Sequence, residues 1–165
     1  MPIPADFWRI VTELGGLEAW IFIILAVLAI YLTSPRRTRS KNGWLVFVLI
    51  PAVIVSAIAI EVIKTVTDIP RPCIGLDGCP SGSSFPSRHA VTMFILATAV
   101  FLNVKNFKIS TAFIVLAILV SYSRVALNYH TYLDIIVGSL LGVFVVYIIN
   151  LIYRKKIKDK SLQNN

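Results

Sequence analysis

The chain has 165 residues, 57% of them hydrophobic, with a mean hydropathy of +0.81 and a net charge of +8. That is one domain's worth of sequence, and its long apolar runs lack the charged face that a soluble helical bundle shows at every turn. The basic excess is gathered into a few connecting segments, which argues against a nucleic-acid reading and for a membrane one.

Taken in chain order, the first element is PIPADFWRIVTELGG, where Phe7, Ile10, Val11 and Leu14 recur at helical spacing and Gly15-Gly16 ends the pattern. Residues 1–16 are too short to span a bilayer. They form either a short amphipathic helix in the outer interface or a simple lead-in to the first span. Five nearly uncharged runs follow: Leu17–Thr33, Trp44–Ile63, Ala90–Val104, Ile109–Tyr122 and Leu133–Tyr153. Spanning takes roughly 20 apolar residues. The second and fifth runs meet this directly, while the third and fourth need to extend into the polar segments beside them. The first run does not read as a cleaved signal, because acidic residues precede it and positive charge follows it. The expectation is an all-α integral membrane bundle: five long transmembrane helices in 17–153, the short N-terminal helix, and a basic cytoplasmic tail over 154–165. The closing SLQNN should fray.

Alternate threading of the five runs sorts the cations. One side receives SPRRTRSKNG, the KNFK turn and RKKIKDK, which together hold 11 of the 16 basic residues. Cytoplasmic loops carry the Lys/Arg excess, so residues 34–43 and the tail are expected inside and residues 65–88 outside. Arg9, Lys64, Arg71, Arg88 and Arg124 remain on the outer side.

The outer connections also hold the unusual chemistry, in three clusters. KTVTDIPRP supplies Lys64 and Arg71. PSRH supplies Ser87, Arg88 and His89. SRVALNYHTYLD supplies Ser123, Arg124, His130 and Asp134. Lysine offers a compact charge and arginine a planar fork suited to phosphate oxygens. Ser87 stands at an N-cap position, and a helix starting there turns free N–H groups and its positive end outward. Asp134, four residues after His130, is one helical turn away. There it can hold one imidazole nitrogen as a donor and leave the other free to attack. His89 on a separate helix can then protonate a departing oxygen. A lone histidine near a membrane surface is more often an interfacial polar residue, but that account does not cover all these residues together.

K-x6-RP, PS-x-H and SR-x5-H-x3-D, spanning Lys64 to Asp134, resemble the three-part signature of the type-2 phosphatidic acid phosphatase superfamily, which also includes vanadium-dependent haloperoxidases. The resemblance implies a metal-independent phosphatase without cofactor, acting through a phosphohistidine. It implies that Lys64, Arg71, Ser87 and Arg124 bind phosphate. It further implies His130 as nucleophile, Asp134 as its orienter and His89 as general acid. Arg88 departs from the family's usual glycine: it either contacts a second acidic group of the substrate or is a surface residue. Five long runs against the family's usual six spans is the other departure.

Cys73 and Cys79 bound a short outer loop on the oxidising side, and a disulfide is favoured over free thiols; two thiols are too few for zinc. Glu61, three residues before Lys64, should pair with a cation of the site. The leading expectation is a phosphatase for membrane lipids in the cytoplasmic (inner) membrane, its site facing the periplasm or exterior. It needs neither nucleic acid nor an obligatory protein partner. Candidate substrates are undecaprenyl or other polyprenyl diphosphate, phosphatidylglycerophosphate and lipid A 1-phosphate. The alternatives are a haloperoxidase-like enzyme, against which the membrane spans count, and a non-catalytic lipid-binding or transport protein.

Overall fold

The computed structural model describes residues 4–35 and 43–163. Among them the chain forms six α-helices: α1 (Ala5–Glu13), α2 (Leu17–Thr33), α3 (Ile50–Thr67), α4 (Arg88–Asn103), α5 (Phe107–Ala126) and α6 (Tyr132–Gln163). No strand occurs among the described residues. Part of the 34–43 segment, residues 36–42, lies outside them, as do Asn164 and Asn165.

A π-helical stretch, Leu45–Leu49, leads directly into α3. Pro51 explains it. Proline has no N–H to donate and its ring crowds the carbonyl one turn back. Widening the preceding turn lets the helix run on without a break. Asp68 ends α3 in the left-handed region, at φ 41°, and Pro70 follows to keep the chain from continuing as helix.

Three segments are long and apolar enough to cross a membrane: Leu45–Thr67, Phe107–Ala126 and Tyr132–Asp159. Helix α5 does extend past its apolar run at both ends. Helix α4 gains Arg88 and His89 at its start but stops at Asn103, where Val104 turns extended, and so has 16 residues. Helix α2 has 17. The last helix continues far beyond Tyr153, through the basic segment to Gln163, so residues 161–163 of the tail are helical rather than frayed.

Helix α4 forms the centre of the bundle. Val91, Met93, Ile95, Ala97, Ala99 and Val100 are all buried, whereas large apolar side chains such as Phe22, Ile58, Leu140 and Phe144 cover the outside. Its tightest neighbour is α6. A methyl group added at Gly138 would sit 2.8 Å from the Ser87 carbonyl oxygen, and one at Gly142 would sit 2.5 Å from that of Val91. Glycines four residues apart therefore let two backbones touch, as small residues do between membrane helices. Through this seam the beginning of α6 is pinned beside the beginning of α4.

Helix α1 packs on the end of α5. Trp8 meets the Tyr122 ring edge-on, with centroids 5.2 Å apart, and Thr12 is buried. Phe7, Ile10 and Leu14 stay exposed. Three of the four residues of the apolar stripe read from the sequence therefore face away from the protein, while Val11 packs inward with Trp8 and Thr12 and holds the helix down.

Candidate active site

Four helix ends meet at one end of the bundle: the close of α3, the start of α4, the close of α5 and the start of α6. Lys64 projects from the last turn of α3, and its ammonium donates to the Ser83 carbonyl. The segment after α3 folds back on itself. Ser84 N–H donates to the Ile69 carbonyl at 2.8 Å, and Ile69 N–H donates to Ser83 Oγ at 3.2 Å. Cys73 and Cys79 are joined as a disulfide within this loop. Arg71 is thereby held over the site. Its Nε donates to the Gly82 carbonyl at 3.2 Å, while one terminal nitrogen reaches the Tyr129 carbonyl at 3.2 Å and His130 Nε2 at 3.0 Å.

That last contact fixes the imidazole tautomer. A guanidinium can only donate, so His130 Nε2 must present its lone pair and Nδ1 must carry the proton. Nδ1 lies 3.3 Å from Asp134 Oδ2. The pair is close but not aligned as a hydrogen bond, and Nδ1 has no hydrogen-bond partner within the protein. Burial, reinforced by the positive charges of Arg71, Arg124 and Lys64, pushes the His130 pKa down to about 3. The ring is neutral, with its lone pair toward the cations.

Asp134 sits differently from the sequence expectation. His130 precedes α6 rather than lying on it, because Thr131 and Asp134 form a reciprocal cap. Thr131 N–H donates to Asp134 Oδ2 at 2.9 Å, and Asp134 N–H donates to Thr131 Oγ1 at 3.2 Å. This T-x-x-D arrangement satisfies helix-end donors and locks the carboxylate under the imidazole. The preceding turn is equally constrained. Asn128 is left-handed at φ 58°, and the Arg124 carbonyl accepts from both Tyr129 N–H (2.9 Å) and His130 N–H (3.2 Å).

Ser87 occupies the N-cap position of α4, but its side chain makes no capping bond. Its own N–H donates to the Asp134 carbonyl at 3.1 Å, tying α4 to α6, and its Oγ is buried with no partner within the protein. Arg124 is buried as well. It donates to Thr12 Oγ1 at 2.8 Å and lies over the Tyr129 ring, 4.7 Å from the centroid, while its Nε has no partner within the protein. His89 stands one residue into α4, packed against Gly15.

The structure thus gathers Lys64, Arg71, Ser87, His89, Arg124, His130 and Asp134 at one end. Arg88 is turned outward. Its guanidinium pairs with Glu61 Oε1 at 2.6 Å, both side chains being more than half exposed. It borders an open pocket of about 270 Å³ that Lys64 and Arg71 also line. Glu61 does pair with a cation, and that cation is Arg88. Sequence reasoning passed over Thr131, Tyr129, Thr12 and Gly15. The T-x-x-D cap and the Gly138/Gly142 spacing were the readable signals; the contacts of Thr12 and Gly15 left none.

Buried Arg124, half-buried Lys64 and Arg71, the unpartnered Ser87 Oγ and Arg124 Nε, and the start of α4 surround the neutral His130 at one end of a helical membrane bundle. The family model of the PAP2 superfamily matches residues 44–158, and the chain belongs to that superfamily. Two solved structures are similar over most of their length. Aquifex aeolicus LpxE shares 25% identity, with a TM-score of 0.72 over 90% of this chain and 86% of its own. The transmembrane PAP2-type phosphatidylglycerolphosphate phosphatase of Bacillus subtilis shares 20% identity and the fold, with a TM-score of 0.77 over 94% of this chain and 80% of its own. Among curated proteins none matches significantly. With its long apolar helices, the chain is a multi-pass membrane protein.

Proposed function

We propose that this protein is a membrane lipid phosphatase that removes the terminal phosphate of a lipid phosphate or diphosphate through a phosphohistidine on His130. One observation carries the reading. His130 presents the Nε2 lone pair to Arg71, within a ring of buried groups, Ser87 Oγ and Arg124 Nε, that have no partner within the protein. Unpaired buried polar groups are costly, and a phosphate would supply all their missing acceptors.

In the reaction, Lys64, Arg71, Arg124 and the N-terminus of α4 hold the phosphoryl oxygens and stabilise charge in the transition state. Nε2 attacks phosphorus, the bond from phosphorus to the lipid-side oxygen breaks, and His89 gives that oxygen its proton. The phosphorylated imidazole is cationic, and Asp134 beneath Nδ1 compensates it. Water then attacks the same phosphorus, His89 takes the water's proton, and inorganic phosphate leaves with Nε2 restored. These cations do the work a metal ion does elsewhere, so turnover should persist in EDTA.

Counting α2 and α4 as crossings gives five passes. The basic split of the sequence then puts the active end outside, toward the periplasm or exterior of the cytoplasmic membrane. Substrates of the right chemistry are polyprenyl diphosphates, phosphatidylglycerophosphate and lipid A 1-phosphate. The test is phosphate release by the purified protein from a panel of these lipids, with and without EDTA. Activity abolished by EDTA and restored by divalent metal would overturn the mechanism. A panel left wholly unhydrolysed would overturn the function.

A further inference from the structure

The segment with no role so far is α1, which precedes the residues 44–158 matched by the family model. It is not remote from the site. Thr12 is 6% exposed, and its Oγ1 is the only hydrogen-bond acceptor given to the Arg124 guanidinium by any described residue, across a sequence separation of 112. The other restraint on that guanidinium is the face of Tyr129, which resists displacement off the ring but does little to fix rotation about its normal. A directional bond on one terminal nitrogen fixes that rotation and thereby where the unpartnered Nε sits.

Three residues on, Gly15 touches the other side of the site. A Cβ there would stand 2.7 Å from His89 Cδ2 and 2.7 Å from Val120 Cγ1. The α1–α2 turn therefore closes directly on the His89 ring, and its only room for that approach is the missing side chain.

We infer that α1 is a working part of the active site, in which Thr12 positions Arg124 and Gly15 sets the place of His89. The inference rests on the phosphatase reading for its kinetic consequences but not for its geometry. Thr12 and Gly15 are positioning residues, each acting through a different group, and that difference makes them separable. Removing the Thr12 hydroxyl frees Arg124, which loosens the anion cage itself. Adding a methyl at Gly15 moves His89, which disturbs proton delivery and leaves the cage intact.

The experiment compares T12V, T12S and G15A with wild type in the full-length purified protein. It measures kcat/KM on a lipid phosphate and on an activated aryl phosphate, and the thermal shift on adding orthovanadate. T12V should lose roughly 10- to 100-fold in kcat/KM on both substrates, a range that small misplacements of an aligned group produce. Its vanadate shift should shrink, and T12S should recover both. G15A should keep the vanadate shift and lose turnover on the lipid, with the deficit fading on the aryl phosphate, whose leaving group needs no proton. If T12V does not fold, T12S and G15A decide the matter. Wild-type kinetics in T12V and G15A would overturn the inference. So would equal losses in T12S and T12V, or a G15A deficit that is the same for both substrates, since α1 would then be a structural brace. If wild type hydrolyses none of the phosphates, the phosphatase reading fails on its own account, and the vanadate shifts of T12V and T12S still decide the placement of Arg124.

Discussion

The two ends of the bundle are both rich in cations, and they hold them in opposite ways. At one end Lys105, Lys108, Lys155 and Lys156 stand exposed, where each charge keeps its water. At the other, Arg124 is 6% exposed, and Lys64, Arg71 and Arg124 are held at fixed angles by carbonyls, a hydroxyl and an aromatic face. Solvated charges set orientation in a bilayer. Desolvated, aligned charges recognise an anion. Residue type alone does not distinguish the two; burial and partners do.

Substitutions can sharpen that contrast, beginning with the largest expected effect. His130→Ala removes the nucleophile and should lower phosphate release by about 10⁴-fold or more, the scale seen when a covalent nucleophile is deleted. Near-normal turnover would end the phosphohistidine account. His89→Ala should cost about 10²–10⁴-fold on lipid substrates, with a smaller loss on an activated aryl phosphate; an equal loss on both would remove the general-acid role.

A third test uses pH. His130 has a folded pKa near 3 against an ordinary 6.5, so the unfolded chain binds its proton first. Stability is therefore complete above about 6.5 and falls as pH drops toward 3, by up to about 1.4 kcal/mol per pH unit for this group. Melting curves of wild type and His130→Asn should diverge in that window and run parallel above it. Parallel curves throughout would mean the ring is not held neutral.

Arg88 sits between the two regimes, more than half exposed yet bordering the pocket. Arg88→Gly should raise KM for a lipid diphosphate about tenfold, the lower part of the range for one charge-assisted contact, and leave a monoester nearly unchanged. Equal effects would make it a surface residue whose pair with Glu61 adds little. Smallest of all, a Lys155→Ala/Lys156→Ala pair at the solvated end should leave phosphate release within about twofold of wild type, as surface substitutions generally do. A large loss there would break the comparison outright.

Much of this was legible in the sequence, and the reasons are local. Uncharged runs of membrane length announce helices, and alternate threading of those runs alone brings the three motif clusters to one end. Ser87 at an N-cap and Asp134 near His130 follow from short-range spacing. What stayed hidden depends on distance. Thr12 reaches Arg124 across 112 residues, and Glu61 finds Arg88 27 residues on; no periodicity encodes either. The place of His130 just before α6 was hidden for a different reason. Thr131 and Asp134 together cap the helix start, and their mutual cap excludes the histidine from it. Helix lengths were partly misjudged because hydropathy marks where a helix can lie in lipid, while caps and backbone turns decide where it stops.

The Arg124 carbonyl, which accepts from the N–H groups of both Tyr129 and His130, joins the residue proposed to grip phosphate to the one proposed to attack it. The interval between them works as a gauge block. One residue inserted between 124 and 130 would rotate the imidazole away from Arg71 while leaving every side chain of the site present. A protein so altered would keep every residue of the three clusters, but SR-x5-H would become SR-x6-H and the register that aligns them would be lost.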